Sequence, residues 1–384
     1  MSIDVAISKC GSYDIKEVRA ALEKILNEIG GIDFIKPGMK VALKVNLISF
    51  LKPEAAGTTH PAVVCAMCDI LREKGAEVIV GDSPGGLYTQ AYVDKVYNAA
   101  GMKEVLEHGA KLNYDFGTAE AVFDDGRICK SFTYTSYLKD CDFIINMSKL
   151  KSHGMMVMSA AVKNMFGAIP GLVKPEYHYR FSKQADFAKA LIDIYEYFSP
   201  CINITDAVEG MEGNGPTAGT PRKLGLLLAS KNAFLLDRVN AHIINFPTEN
   251  VPTVSESVRL GLAPEDVKSI NCSMDIDSIR AEDFKPAVSH SLTFDGNGWF
   301  GKMFGKFAES ALKTRPKLYK NKCVGCKECY KICPAKAITM KDGYPVIDRR
   351  QCIACFCCQE FCHKGAMKVY RPLISRILTK KGDK

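Results

Sequence analysis

The apolar positions of the chain fall into two alternating rhythms. Short runs rich in Val, Ile, Leu and Phe occur at Val5–Ser8, Lys40–Val45, Glu77–Gly81, Phe143–Met147, Ile202–Ala207, Leu224–Ala229 and Val267–Cys272. Each has the length and composition of a buried strand. Between them the apolar residues recur every three to four positions, over Ile15–Ile29, Pro61–Lys74, Ala185–Phe198 and Ala233–Ile244. That is the spacing of a helix with one buried side. Thr59 marks the expected cap region of the second of these helices, with Pro61 near its first turn. Strands alternating with helices of about ten to fifteen residues predict an α/β body, a mainly parallel sheet flanked by helices.

In such sheets ligands bind beyond the carboxyl ends of the strands. Three stretches there are expected as loops: Gly81-Asp82-Ser83-Pro84-Gly85-Gly86, Ser148-Lys149-Leu150-Lys151-Ser152-His153-Gly154, and the run from Thr205-Asp206 through Glu212-Gly213-Asn214-Gly215-Pro216 to Thr220. Neither a Walker A lysine–serine pair nor a G-x-G-x-x-G fingerprint is present, so the common nucleotide loops are unsupported. What is left is permissive backbone beside Lys149, Lys151 and Lys163, a setting for an anion nest, and the expected guest is a small carboxylate or phosphate ester. The candidate binding residues are Asp82, Ser83, Lys149, Lys163, Asn164, Glu212 and Asn214. The candidate catalytic residues are His153, Asp206 and Lys151, with His153 or Asp206 as the proton donor. Each has a plainer role to weigh against this. His153 and His60 suit structural hydrogen bonds, the lysines suit covering apolar surface, and Asp82 and Asp206 suit caps and turns.

The last fifth of the chain changes the picture. Eight of the sixteen cysteines form two runs, Cys323-x-x-Cys326-x-x-Cys329-x-x-x-Cys333 and Cys352-x-x-Cys355-x-x-Cys358-x-x-x-Cys362. This is the spacing of two [4Fe-4S] clusters, in which three thiolates of one run and the fourth of the other hold each cubane. The expected sets are Cys323, Cys326, Cys329 and Cys362 for one cluster, and Cys352, Cys355, Cys358 and Cys333 for the other. Tetrahedral zinc also takes paired C-x-x-C, but two consecutive three-cysteine runs with a fourth at a fixed offset fit iron–sulfur better. Cys357, beside Cys358, is a ninth thiol, and a bystander reading suits it because one cubane needs four thiolates. The other cysteines are scattered, apart from Cys65-Ala-Met-Cys68, which sits inside an apolar pattern and reads as buried core. The whole usage fits a reducing compartment.

Residues 315–371, with the ending Cys333-Pro334-Ala335-x-Ala337-Ile338, resemble a bacterial two-cluster ferredoxin domain. One departure is Cys362-His363 where that family has Cys-Pro, which predicts a looser turn there. A second resemblance rests on Gly81-Asp82-Ser83-Pro84-Gly85, Lys149-Leu150-Lys151-Ser152-His153-Gly154, Lys163-Asn164-Met165-Phe166-Gly167 and Gly210-Met211-Glu212-Gly213-Asn214-Gly215-Pro216 in that order. Over roughly residues 38–262 the chain is similar to the domain of unknown function 362 family, whose members often carry this pair of clusters. The block Gly57-Thr58-Thr59-His60-Pro61 is similar, more remotely, to the N-terminal domain of the lactate racemase family, and the nickel-pincer cofactor of that family is not carried over.

Charge divides the chain the same way. The net +8 conceals 18 Lys and Arg against 5 Asp and Glu after residue 310, and 33 against 38 before it. The basic end fits an acidic electron partner of ferredoxin or flavodoxin type, or docking onto the acidic body. It lacks the interleaved aromatics of a nucleic-acid surface. No leader pattern opens the sequence and no run of about 18 apolar residues occurs, which predicts a soluble cytoplasmic protein. Oxygen-sensitive clusters point towards an anaerobe. The expected organisation is a body over 1–285, a linker and amphipathic helix over 286–314 around Trp299-Phe300 and Phe307, a ferredoxin unit over 315–371 and a basic tail over 372–384 with a short helix at Leu373–Leu378. Two functions fit: a redox enzyme passing electrons to an anion or cofactor in the body, or a non-catalytic carrier or cluster-delivery protein whose body docks a partner oxidoreductase.

Overall fold

The computed structural model describes residues 3–287, 315–362 and 364–370. The amphipathic helix expected around Trp299, His363 and the tail helix at Leu373–Leu378 lie outside the described residues. The body begins with β1 (Ala6–Lys9), α1 (Ile15–Glu28), β2 (Lys40–Lys44), α2 (Pro61–Glu73), β3 (Glu77–Gly81), α3 (Gln90–Ala99) and β4 (Lys111–Leu112). A hairpin of β5 (Thr118–Val122) and β6 (Ser131–Thr135) precedes β7 (Phe143–His153), which turns back through β8 (Val157–Ser159) into the short helices α4 (Ala161–Asn164) and α5 (Lys174–Arg180). Then follow α6 (Gln184–Phe198), β9 (Ile202–Glu212), β10 (Thr220–Ser230), α7 (Ala233–Ile243) and α8 (Pro252–Arg259).

The sheet order is β1-β10-β9-β7-β2-β3-β4, with β8 paired to β7. The segment from β9 to β4 is parallel, while β10 and β1 close one edge antiparallel. Strand alternation sorts the core onto two faces. Val41, Leu43, Ile145, Met147, Leu227 and Ala229 meet Val18, Leu22 and Ile25 of α1 and Val64, Met67 and Leu71 of α2. Ala42, Ile144, Leu226 and Leu228 meet Leu191 and Ile194 of α6 and Leu236 and Val239 of α7. Each such fully buried side chain contributes about 1.5–3 kcal/mol of transfer free energy. Cys65 and Cys68 belong to the first of these faces, and burial pushes the Cys65 thiol up to about 12, so the pair is packing and not a redox dithiol.

Two expectations are corrected by pairing. Val267–Cys272 is not a strand: Asp266 accepts from the Lys268 amide at 2.9 Å and winds Val267–Ser269 into a tight turn, leaving Cys272 a single bridge to Val5. The cap of α2 is His60 and not Thr59. The His60 ring accepts from the Ala62 amide at 3.2 Å, while Thr59 Oγ1 is engaged between the Asn46 amide at 2.9 Å and the Met147 carbonyl at 2.8 Å.

The C-terminal unit holds β11 (Arg315–Leu318), α9 (Glu328–Lys331), β12 (Ile338–Lys341), β13 (Tyr344–Ile347), α10 (Cys357–Glu360) and β14 (Met367–Tyr370). β11 pairs with β14 and β12 with β13, both antiparallel. Among the described residues no helix is long and apolar enough to cross a membrane.

The short helix α4 stands on one carboxylate from another element. Asp237 of α7 is buried and accepts from the Ala161 amide at 2.8 Å and the Val162 amide at 2.9 Å. Asp237→Ala strands both donors and is expected to cost about 2–3 kcal/mol. Thermal unfolding measures this, and a midpoint equal to that of the parent would show that α4 is held by other contacts.

Candidate functional site

Two of the three stretches expected as loops continue as strands. β7 runs through Ser148–His153 because β8 pairs back onto Lys151–His153 and β9 pairs with it as far as Lys149 and Lys151. β9 likewise runs to Glu212 because β10 pairs with it as far as Thr220. The lysines therefore project from rigid sheet, and their burial forces each to find partners.

The first polar cluster forms around Asp206. Lys149 Nζ donates to Asp206 Oδ2 at 2.9 Å and to the Tyr13 hydroxyl at 2.7 Å, and the Tyr13 hydroxyl donates to Asp206 Oδ1 at 3.0 Å. The His60 and Val208 amides also donate to this carboxylate, and the His60 ring stacks on Tyr13 at 3.5 Å. Both oxygens of Asp206 are occupied, and it clamps the starts of α1 and α2 to the ends of β7 and β9.

The second cluster surrounds a cavity of about 60 Å³ between the strand ends and the C-terminal unit. Its wall includes Asn46, Asp82, Ser83, Lys151, Lys163, Asn164, Lys174, His178, Glu360 and Phe361. Lys44 beneath it pairs with Asp82 at 2.6 Å and donates to the Val45 and Asn164 carbonyls. Gly167 is required here because a Cβ would collide with Lys44 Nζ and Asp82 Oδ1. Lys151 donates to Asn46 Oδ1 at 2.7 Å and to the Gly57 carbonyl at 2.6 Å. Asn46 donates in turn to Asn164, Asn164 to Asn146, and Asn146 to Asn203, each within 2.9 Å. Lys174 reaches the Ser83 carbonyl. Lys163 lies 5.9 Å from the Phe166 ring centroid and, among the described residues, has no carboxylate or hydrogen-bond acceptor.

Helix α10 closes the cavity. Glu360 Oε1 stands 2.9 Å from His153 Nε2, and His153 Nδ1 accepts from the Met155 and Met156 amides at 3.1 Å, which fixes the ring proton on the side of Glu360. Burial pushes His153 down to about 4. Burial alone would raise the Glu360 carboxyl, but His153, Lys163 and His178 together hold it well below the usual carboxylate range. Gln359, fully buried, donates to the Asn214 carbonyl at 3.0 Å and the Gly215 carbonyl at 3.3 Å. Phe361 presses on Gly85, where a Cβ would stand 3.1 Å from the ring.

Of the residues expected from sequence, Asp82, Ser83, Lys151, Lys163 and Asn164 meet at the cavity. His153 stands behind it, bonded to Glu360. Lys149 and Asp206 form the separate cluster. Glu212 accepts from the Lys285 amide at 3.1 Å, and Asn214 offers its backbone carbonyl to Gln359. Sequence reading missed Lys44, Asn46, Lys174, His178, Gln359, Glu360 and Phe361. Only Lys44 carried a signal, as a lysine inside the apolar strand Val41–Val45.

The cysteine runs form two sets. Cys323, Cys326, Cys329 and Cys362 line one cavity of about 20 Å³, and Cys333, Cys352, Cys355 and Cys358, with Cys357, line a second of about 20 Å³. Each is a four-thiol donor set of the kind a [4Fe-4S] cubane takes. The second run repeats the backbone of the first: left-handed residues Gly325, Lys327 and Lys336 recur as Ala354, Phe356 and Gly365. The looser turn expected after Cys362 passes through His363, which lies outside the described residues. The Gly365 amide bonds the Cys362 carbonyl at 2.8 Å as Lys336 does Cys333 at 3.1 Å, because glycine takes the left-handed position without strain. The Ala337 and Ala366 amides point at Cys333 Sγ and Cys362 Sγ, at 3.3 and 3.2 Å.

A family profile described as "Domain of unknown function (DUF362)" matches residues 41–242, and one described as "4Fe-4S dicluster domain" matches residues 315–363. A thylakoid-associated protein of Synechocystis sp. is 33% identical over 268 residues, 68% of this chain and 80% of that protein. Ferredoxin-3 of Nostoc sp. is 42% identical over 62 residues, 16% of this chain and 43% of that protein. The lactate racemase apoprotein from Thermoanaerobacterium thermosaccharolyticum aligns with TM-score 0.36 and 10% identity over 53% of this chain and 50% of that one.

Burial pushes the Lys151 ammonium from 10.5 down to about 7. Between about pH 7 and 10 the folded chain therefore binds fewer protons here than the unfolded chain, so this group makes stability rise with pH across that window. Lys151→Met is expected to flatten the rise, read as unfolding midpoints from about pH 7 to 9.5. An unchanged slope would rule the buried ammonium out as its source.

Proposed function

Because this chain belongs to the DUF362 family and ends in an iron–sulfur ferredoxin-like domain, we propose that it holds two [4Fe-4S] clusters and passes electrons to a small anionic substrate or cofactor in the cavity at the strand ends. The observation that carries this reading is the position of α10. One turn of helix brings Cys357 and Cys358 to the second thiol cavity and Glu360, with Phe361 after it, to the wall of the lysine-lined cavity.

The clusters supply one-electron transfer when bound. The residues of the chain set its surroundings. Cys326 of the first thiol set is exposed, whereas in the second run Phe356 packs into the core of the body, so the first set faces partners and the second faces the cavity. Lys320, Lys322, Lys327, Lys331 and Lys336 flank the first run and are exposed, which suits steering of an acidic ferredoxin or flavodoxin. Lys151, Lys163 and Lys174 hold the guest, while Phe166 and Phe361 exclude water from it. The Glu360–His153 and Gln359 contacts keep the unit seated on the body.

The carrier reading has one observation in its favour. An open groove of about 800 Å³ runs between Cys333-Pro334 and the aromatic surface of Phe132, Tyr177 and Tyr179, a face that a docking partner can reach.

Anaerobically purified protein is expected to hold about eight irons, and Cys357→Ser is expected to keep them. Loss of half the iron in that variant would make Cys357 a ligand. Reduction by an acidic ferredoxin is expected to slow steeply as salt rises from about 0.05 to 0.5 M, and a flat response would remove the steering argument. After chemical reduction, the iron–sulfur absorbance is expected to recover faster with an anionic oxidant than with a neutral one, and Lys151→Met is expected to abolish the difference. If parent and variant reoxidise alike, the body is a docking module and the carrier reading holds.

A further inference from the structure

The guest of the cavity can be narrowed by counting the donors that the protein leaves without acceptors. This step rests on the anion reading above. Both acidic groups in the wall are already engaged: Asp82 by Lys44 at 2.6 Å and the Leu47 amide at 2.8 Å, and Glu360 by His153 at 2.9 Å. Lys151, Lys163 and Lys174 have no carboxylate within 4.0 Å among the described residues. The asparagines in the wall are also engaged, Asn46 with Lys151 and Asn164, and Asn164 with Asn46 and Asn146. Ser83 is not. Its hydroxyl is buried, with the residue 1% exposed, and has no hydrogen-bond partner, although the residue lines the cavity. A buried hydroxyl without a partner costs about 1–3 kcal/mol, so its place in this wall points to a ligand atom opposite.

Size sets the other bound. The cavity of about 60 Å³ is several times what one water needs on this measure, roughly 10–15 Å³. It is far below the roughly 300–1,000 Å³ of pockets that take cofactors and drug-sized ligands. The enclosed part has room for a small ion and not for the ring system of a nucleotide or a flavin. The donors open to a guest are the Lys163 ammonium, the Ser83 hydroxyl, and the N–H groups that Lys151 keeps beyond Asn46 and Gly57 and Lys174 beyond Ser83, set against the apolar Ile48, Phe166 and Phe361. Four donors around a small volume with weak screening match a compact ion carrying three or four equivalent oxygens.

We infer that the cavity binds a small inorganic oxoanion of phosphate, sulfate or carbonate size, contacted by Lys151, Lys163, Lys174 and the Ser83 hydroxyl. Lys163 is the most telling of the four because, among the described residues, it has no hydrogen-bond acceptor and no carboxylate within 4.0 Å, although its charge also acts on Glu360. Methionine of similar length keeps the packing of the side-chain stem and removes the charge. The variant Lys163→Met thus separates a ligand-binding lysine from a structural one.

The test uses the anaerobic, cluster-loaded full chain and thermal unfolding at constant ionic strength, with chloride as the reference salt and inorganic phosphate, sulfate or bicarbonate as probes up to about 20 mM. At about one hundred times its Kd a ligand contributes about 2.7 kcal/mol to stability, so at least one oxoanion is expected to raise the midpoint by several degrees with saturation. Lys163→Met is expected to fold and to lose the oxoanion response. Ser83→Ala is expected to fold normally and weaken binding about tenfold, the effect of one hydrogen bond to a charged group. If Lys163→Met responds to the oxoanion as the parent does, the assignment is overturned. If citrate or malate stabilises the parent and no oxoanion does, the size argument is overturned while the broader anion reading survives. If no anion of either kind stabilises it, both fall.

Discussion

Carrying lysine ammonium groups into the interior at one end of a sheet is the constraint around which this molecule is arranged. Lys44, Lys149 and Lys151 are each at most 1% exposed, and a charge removed from water must be paired and hydrogen-bonded or it destabilises the fold. Lys44 is met by Asp82, Lys149 by Asp206 and Tyr13, and Lys151 by Asn46 and the Gly57 carbonyl. Each partner lies on a different element, so satisfying the charges also fixes how those elements meet. The asparagine chain from Asn46 through Asn164 and Asn146 to Asn203 extends this across β2, β7 and β9. Lys163 and Lys174 are what remains after that structural pairing, and they face the same cavity.

The seat of the C-terminal unit follows from the same end of the sheet. Loops beyond parallel strands offer free backbone carbonyls and glycine-made recesses. Gln359 uses the carbonyls of Asn214 and Gly215, and Phe361 uses the recess at Gly85. His153 supplies the charge-linked contact to Glu360 from the last residue of β7. The thiol set nearer the body thereby shares one helical turn with the cavity wall.

The polar residues divide by what their partners leave open. Asp206 and His153 have the residue types of proton donors, yet their oxygens and nitrogens are filled by Lys149, Tyr13, backbone amides and Glu360. Lys163 and the Ser83 hydroxyl, less conspicuous as chemistry, line the cavity without a hydrogen-bond partner among the described residues. Incomplete satisfaction, more than residue type, sets those groups apart from the ones that hold the wall.

The sequence by itself determined the parts whose physics is local. Apolar periodicity placed α1, α2, α6 and α7 to within a residue or two, because a buried helical side must recur every three to four positions. Cysteine spacing implied the crossed thiol sets, since ligand offsets are short and dictated by the group they surround. Only the tertiary structure decided the rest. β7 and β9 extend through expected loops because partner strands, remote in sequence, satisfy their backbones. Lys149 and Lys151, two residues apart, went to different clusters because Asp206 and Asn46 wait in different places. Glu360 and Phe361 read as ordinary residues of a cysteine run until docking set them in the wall of the cavity. A lysine's role depends on whether a neighbour already takes its charge, and that neighbour is chosen by folding.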